Sequence, residues 1–258
     1  MGQALIQGAR ESGVAGKDIS VSDPSVTARE KCASLFDTNT FSNNEEATKN
    51  ADIVVLSVKP QIIGKALQSV AASGRENLLY ISVAAGVTLE QLNSYSEKNI
   101  AIVRCMPNTP AIIRAGITAL IANQNVTELQ RSDAENLLTA VGKTVWLNKE
   151  SLMDAVTAIS GSGPAYFFML IELLESCAVE LGLSAELAKE LAVQTAYGAC
   201  KLARNASESP GELRENVTSP NGTTEAALRV FAAEDIDRIV KSAVTAARDR
   251  SIELAKGN

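Results

Sequence analysis

Residues 51–61, Ala51-Asp52-Ile53-Val54-Val55-Leu56-Ser57-Val58-Lys59-Pro60-Gln61, decide the class of the fold. A continuous apolar run of this length, lacking the alternation of a half-exposed strand, is a strand covered on both faces. Pro60 then suits the first turn of a helix, and a helical period runs on to about residue 73. Similar strand signals recur at 18–22, 78–83 and 100–104, with helical patterns between them. Strands of this kind separated by helices imply a parallel sheet with right-handed crossovers, which is a doubly wound α/β domain. Two further runs, 117–122 and 143–147, flank a polar helix from about Thr127 and extend the sheet.

Beyond residue 149 the strand signals stop. Only helical patterns follow, at 151–159, 164–181, 184–204, 223–231 and 236–254, so the chain divides into an α/β domain over 1–149 and an all-helical domain over 150–258. Pro164 fits the start of a helix, Gly182 its stop, and Ser184 the cap of the next. The helix after Pro164 reads Ala165-Tyr166-Phe167-Phe168-Met169-Leu170-Ile171, apolar on nearly every side. One packing face within a single subunit cannot satisfy such a helix, which points to burial against a second subunit.

Composition excludes several classes of function. A formal charge of −6 leaves no basic surface to neutralise a phosphodiester backbone, so nucleic acid is not an expected partner. The cysteines at 32, 105, 177 and 200 lie far apart and form no metal or redox motif, which suits the reducing cytoplasm. No basic segment leads into an apolar core at the N-terminus, and no apolar stretch approaches the roughly 20 residues of a bilayer span, so no membrane is expected. There is no histidine. Histidine-dependent triads, histidine general acids and histidine-bound metals are thereby excluded, and no metal site is expected.

The candidate sites cluster at strand ends. Gly2 precedes a helix over 3–10, and Asp23 follows the next strand about 20 residues on, the spacing at which an acidic residue meets a ribose in dinucleotide folds. An ordinary helix N-terminus explains the same residues. Val58-Lys59-Pro60 ends one strand, Ser82-Val83-Ala84-Ala85-Gly86 the next, and Arg104-Cys105-Met106-Pro107-Asn108-Thr109-Pro110 a third. Ligands of open parallel sheets bind outside the carboxyl ends of the strands, and small residues such as Ala84 and Ala85 let a flat ring lie against the backbone, although a proline-started helix at 58–61 and tight packing of the small residues explain the same sequence. Thr88 and Gln91 have the spacing of a capping box. In the helical half, Ser160-Gly161-Ser162-Gly163-Pro164 and Ser219-Pro220-Asn221-Gly222-Thr223-Thr224 are glycine-containing breaks. Asn and Gly tolerate a left-handed turn, and the N–H groups of the helix that follows favour a carboxylate. A well-capped surface helix accounts for the second break equally well.

Taken together, V-K-P-Q at 58–61, S-V-A-A-G-V at 82–87, R-C-M-P-N-T-P at 104–110, D-A-V-T-A-I-S-G-S-G-P-A-Y at 154–166 and V-T-S-P-N-G-T-T at 217–224 resemble the pyrroline-5-carboxylate reductases over essentially the whole chain. The resemblance implies a Rossmann domain followed by a helical dimerisation domain, active sites formed between subunits, and a homo-oligomer built from dimers. It also implies reduction of a cyclic imino acid, 1-pyrroline-5-carboxylate, to L-proline by hydride transfer from NADPH or NADH. Gly2, Asn44, Val58, Lys59, Pro60, Ala85 and Asn108 would line the cofactor, and Ser22 or Asp23 would meet its adenosine ribose. Ser219, Gly222, Thr223 and Thr224 would hold the substrate, with Thr224 bonding the ring nitrogen. A protonated imine is already electrophilic, which explains how a chain without histidine could be an enzyme. Family members begin with a β-strand and G-x-G-N ahead of the Met-Gly that opens this sequence. The expectation is a start set at an internal methionine; the alternative is a cofactor-poor, non-catalytic oligomer that binds a small anion or a partner. Hydroxyacid reductases of similar plan rely on a helical-domain lysine, whereas residues 219–224 favour the proline-forming family.

Overall fold

The computed structural model describes residues 1–75, 77–96 and 99–256. They form two compact units: Met1–Ser162 with Ala247–Asn258, and Gly163–Ala246. In the first, α1 (Gly2–Glu11), β1 (Ser20–Ser22), α2 (Val26–Phe36), β2 (Asn39–Phe41) and α3 (Asn44–Thr48) precede β3 (Ile53–Leu56), α4 (Ile63–Ala71), β4 (Leu79–Ser82), α5 (Leu89–Ser94) and β5 (Ala101–Met106). Next come β6 (Gly116–Ala122), α6 (Glu128–Thr139), β7 (Gly142–Trp146) and the short α7 (Met153–Val156).

Strands β3 to β7 pair in sequence order as a five-stranded sheet, while β1 and β2 form a parallel pair of their own. The expected doubly wound, Rossmann-like sheet is present, including the extension by β6 and β7. One pairing departs from the parallel expectation, because β6 runs antiparallel to β5. Only the 3₁₀ turn Thr109–Ile113 and its flanking residues join them, and a parallel crossover needs a dozen residues or more. The crossover from β6 to β7 contains α6 and is parallel.

Successive strand residues feed two cores. Val54, Leu56, Tyr80 and Ile102 pack with Ile63, Leu67 and Leu92 of α4 and α5 on one face. Leu79, Ile81, Val103 and Leu120 pack with Leu5 of α1 and Leu138 of α6 on the other. Each large aliphatic side chain fully buried in this way contributes about 1.5–3 kcal/mol, so the two covered faces fix the order of strands and helices. Helix α1 lies so close to the residues before β7 that a Cβ at Gly8 would stand 2.9 Å from the Ala140 carbonyl oxygen.

In the second unit, α8 (Gly163–Glu180), α9 (Ala185–Asn205), α10 (Pro210–Asn216), α11 (Thr223–Ala233) and α12 (Ile236–Ala255) follow, the end of α12 being grouped with the first unit. Gly182 ends α8 in the left-handed region at φ 97°, and the Ser184 hydroxyl accepts a hydrogen bond from Leu187 N–H at the start of α9. The expected break at 160–164 is instead a π-helical turn, Thr157–Gly161, that passes almost directly into α8. As a result the helical run Glu150–Glu180 is 31 residues long and has a window of mean hydropathy 1.2, long and apolar enough by composition to cross a bilayer. This corrects the expectation of no such stretch. Continuity through the π turn joins two apolar segments that the glycines and serines of 160–163 separate in the sequence. Phe167, Phe168, Met169 and Leu170 of α8 are all exposed in the single chain.

Candidate functional site

Strands β3, β4 and β5 are parallel and in register, so Leu56, Ser82 and Arg104 stand in one row across the sheet. The residues after each of them leave the sheet at one edge, its carboxyl end. Val58, Lys59 and Pro60, Ala84 and Ala85, and Asn108 are thereby brought together from three separate segments. Lys59 and Pro60 are exposed, as is Ala85, whereas the Ala84 methyl is buried in the core under α4 and α5. At this edge Ala85 offers a side chain and Ala84 offers backbone. Gly2 opens α1 beside the end of β3, where a Cβ would lie 3.2 Å from Ser57 Oγ. An uncapped N-terminus of a 10-residue helix and an open backbone at one carboxyl edge suit the phosphate and ring of a dinucleotide.

Ser22 ends β1 and Asp23 follows it, and α3, which begins at Asn44, packs against β1 and β2. The Asp23 carboxylate is turned into its own loop, accepting the Ser25 N–H at 2.8 Å. Arg29 donates to the carbonyl oxygens of Asp23 at 2.6 Å and Pro24 at 3.1 Å, which fixes the shape of this loop. Asn43 caps α3, its side-chain oxygen accepting the Glu46 N–H.

The second candidate segment, 219–224, is contained in the helical unit. Asn221 adopts φ 58°, the left-handed turn for which Asn is suited. Its N–H is held by the Glu225 carboxylate at 2.6 Å, and Gly222 N–H donates to the Ser219 carbonyl at 2.9 Å. A Cβ at Gly222 would stand 2.9 Å from that carbonyl oxygen, so the tight turn requires glycine there. Gly222 is the N-cap of α11 and supplies no capping side chain. The first-turn N–H groups of α11 are therefore available, beside the hydroxyls of Ser219, Thr223 and Thr224. This is a donor set for a carboxylate.

Comparison with known proteins identifies the family. The model for pyrroline-5-carboxylate reductase dimerisation matches residues 150–254, and one described as NADP oxidoreductase, coenzyme F420-dependent, matches residues 1–86. The pyrroline-5-carboxylate reductase of Pseudomonas aeruginosa is 45% identical over 99% of this chain and 94% of its own length, and that of Haemophilus influenzae is 40% identical over 98% and 94%. The chain belongs to the pyrroline-5-carboxylate reductase family. Among solved structures, the reductase of Coxiella burnetii superposes with a TM-score of 0.93 at 36% identity, covering 98% of this chain and 94% of that one. The Plasmodium falciparum enzyme, solved with NADP bound, gives 0.88 at 30% identity, covering 99% and 94%.

Several functional features of this reductase chain escape sequence reasoning. Arg104 lies within a buried strand and pairs with Glu150 at 2.6 Å. A charged residue inside the run I-A-I-V-R-C-M is itself a signal that a partner must exist, but it does not name the partner. Asn108 uses both ends of its amide within the fold: Nδ2 donates to the Ser160 carbonyl at 3.1 Å, and Oδ1 accepts the Ile117 N–H at 3.0 Å. A Cβ on Gly161 would collide with the Met106 methyl, so the π turn and the end of β5 are in close contact. Burial pushes the Cys105 thiol well up from its ordinary range and raises the Tyr80 phenol. No cluster of metal-ligating side chains occurs among the described residues.

Proposed function

We infer that this chain catalyses the reduction of 1-pyrroline-5-carboxylate to L-proline, the last step of proline biosynthesis. It is an NAD(P)H-dependent oxidoreductase acting on a C=N bond, with NADP(H) as cofactor. The observation that carries the assignment is membership of the family over nearly the whole chain together with the open N-terminus of α11 at 219–224. Gly2, Ser22, Asp23, Asn44, Val58, Lys59, Pro60, Ala84, Ala85 and Asn108 form the cofactor half, and Ser219, Gly222, Thr223 and Thr224 the substrate half. A purely anion-binding, cofactor-free relative is not favoured, because the chain resembles reductases across both halves.

When bound, the nicotinamide supplies the hydride. The residues of the chain do the positioning. Ser219 and the α11 amides hold the substrate carboxylate, the Thr224 hydroxyl hydrogen-bonds the ring nitrogen, and the strand-end backbone at 84–86 provides a flat wall. No histidine is required, since the imine enters protonated and the reduced product keeps its nitrogen proton.

The chain acts on a small molecule as a homo-oligomer. Residues 1–149 serve the cofactor, and 150–258 serve dimerisation and substrate binding. Larger assemblies form from dimers, in the cytoplasm, without nucleic acid or membrane. The net charge of −6 and four free cysteines support this placement. Steady-state kinetics of Thr224→Ala test the substrate half. Loss of a hydrogen bond to a charged nitrogen lowers kcat/KM roughly 10- to 100-fold, whereas unchanged turnover and substrate affinity would remove Thr224 from the mechanism.

A further inference from the structure

Glu150 stands at the start of the helical run, and one of its carboxylate oxygens, Oε1, accepts two hydrogen bonds. Arg104 Nη1 donates to it at 2.6 Å and the Leu89 backbone N–H at 2.8 Å. The three segments joined in this way are 61 and 46 residues apart in sequence. Leu89 begins α5 and follows directly on the loop that carries Ala84 and Ala85. Arg104 lies on β5, two residues before its end, and the strand continues into Asn108. The Arg104 side chain is 5% exposed, and Ser82 is its neighbour in the sheet register.

The first turn of α5 is apportioned among specific acceptors. The Thr88 hydroxyl takes the Gln91 N–H, the Gln91 side-chain oxygen takes the Thr88 N–H, and Glu150 takes the Leu89 N–H. The Gln91 amide nitrogen also donates to the Ala255 carbonyl at 2.7 Å, and Gly86 lies against Leu254. Glu150 adds a polar link between the start of α5, β5 and the helical entry, beside the apolar packing of Ala84, Val87 and Leu89 with Met153. The Thr88–Gln91 box serves the Thr88 and Gln91 N–H groups, and Glu150 serves the Leu89 N–H that the box leaves over. Two donors, one on β5 and one at the start of α5, converge on one oxygen, so a single carboxylate ties the helix that follows Ala84 and Ala85 to the strand that leads to Asn108.

We propose that Glu150 is a positioning residue for hydride transfer. It holds the loop 83–88 and the end of β5 at the spacing in which Ala85 and Asn108 face the nicotinamide. The proposal rests on the reductase assignment above. Other segments, those of Gly2, Ser22, Asp23 and Asn44, are assigned to the phosphate and ribose end of the nucleotide. Loosening 83–88 and 104–108 therefore disturbs orientation of the reacting ring more than affinity for the whole cofactor.

The test uses the full-length chain and three variants. Glu150→Ala removes the acceptor. Glu150→Gln keeps a neutral oxygen for both donors. The double variant Arg104→Met with Glu150→Met avoids leaving a buried guanidinium unpaired and still frees the Leu89 N–H. Since a misplacement of the order of 1 Å costs about 100-fold in rate, kcat of Glu150→Ala and of the double variant falls roughly 10- to 100-fold, with KM for NADPH within about threefold of wild type. The deuterium isotope effect with 4-deuterated NADPH rises as hydride transfer becomes limiting, and Glu150→Gln recovers most of the rate. A residue that merely stabilises the fold would lower the melting temperature and the fraction of active enzyme, and would leave the isotope effect unchanged. Unaltered kcat and isotope effect in both Glu150→Ala and the double variant overturn the proposal. Hydrogen exchange of peptides spanning 83–92 provides a readout that needs no activity. Faster exchange in the two variants supports the positioning role and equal exchange refutes it, while an inactive wild type refutes the reductase assignment separately.

Discussion

Replacing Asn108 by alanine removes two hydrogen bonds that bind the end of β5 to β6 and to the π turn. The Nδ2 donor loses the Ser160 carbonyl at 3.1 Å, and the Oδ1 acceptor loses the Ile117 N–H at 3.0 Å. Both partners are half-buried, so water can reach each in part. A net value near 1 kcal/mol per bond then applies, and the sum is about 2 kcal/mol. For a chain of this size that corresponds to a fall in melting temperature of roughly 4–8 °C. The informative comparison is Asn108→Asp. Aspartate keeps an acceptor for the Ile117 N–H but turns an anionic oxygen toward the Ser160 carbonyl, so it should melt below alanine even though it is the closer isostere. Calorimetry at fixed protein concentration without nucleotide reads the order directly, since both ligand and subunit association shift the midpoint. Aspartate at or above the melting temperature of alanine would show that the amide does not bridge these two segments as described. A further consequence concerns the cofactor. With both ends of its amide engaged in the fold, Asn108 shapes the strand-end turn, so Asn108→Ala should lower kcat/KM for NADPH along with stability.

Phe168→Glu places a carboxylate on a face of α8 that is exposed in the single chain, at 63%, within the region matched by the dimerisation family. Sedimentation should show dissociation to smaller species, and an unchanged oligomer would remove this face from the interface. Gly142→Ala drives a methyl group into the Gly116 carbonyl at the first pairing of β6 with β7. Urea denaturation should show a loss of roughly 3 kcal/mol, and a loss below ~1 kcal/mol would mean that the two strands can separate there without cost. For Cys105, burial raises the thiol pKa above its unfolded value, so its stabilisation is complete below that value and is lost as pH rises toward the folded one. Above pH 9 the unfolded state binds fewer protons at this site. The slope of stability against pH there should flatten in Cys105→Ala by up to about 1.4 kcal/mol per pH unit, and equal slopes in both proteins would place Cys105 in contact with solvent.

Much of this molecule is set locally and is legible in the sequence. The strands at 53–56, 79–82 and 101–106, the helix stop at Gly182, the caps at Thr88, Thr127 and Ser184 and the left-handed turn at Asn221 all follow from periodicity, side-chain capping or the φ values a residue tolerates. Two short elements, β2 at 39–41 and α10 at 210–216, have too few residues to show a period and were not anticipated. The sequence also carries the candidate sites as types of residue at strand ends and helix starts, because the backbone geometry of those ends is local.

The partners were decided only by the tertiary structure. Antiparallel β6 follows from a short connection and from the pairing it permits. The Ala84 methyl faces the core while its neighbour Ala85 is open, a difference set by which side of the sheet α4 and α5 cover. The Asp23 carboxylate turns into its own loop, the Asn108 amide reaches Ser160, and the Glu150 carboxylate takes donors from Arg104 and Leu89. A buried polar group must find a complement wherever the folded chain places one. Periodicity fixes which residues are buried together, but it leaves open which distant donor meets which acceptor.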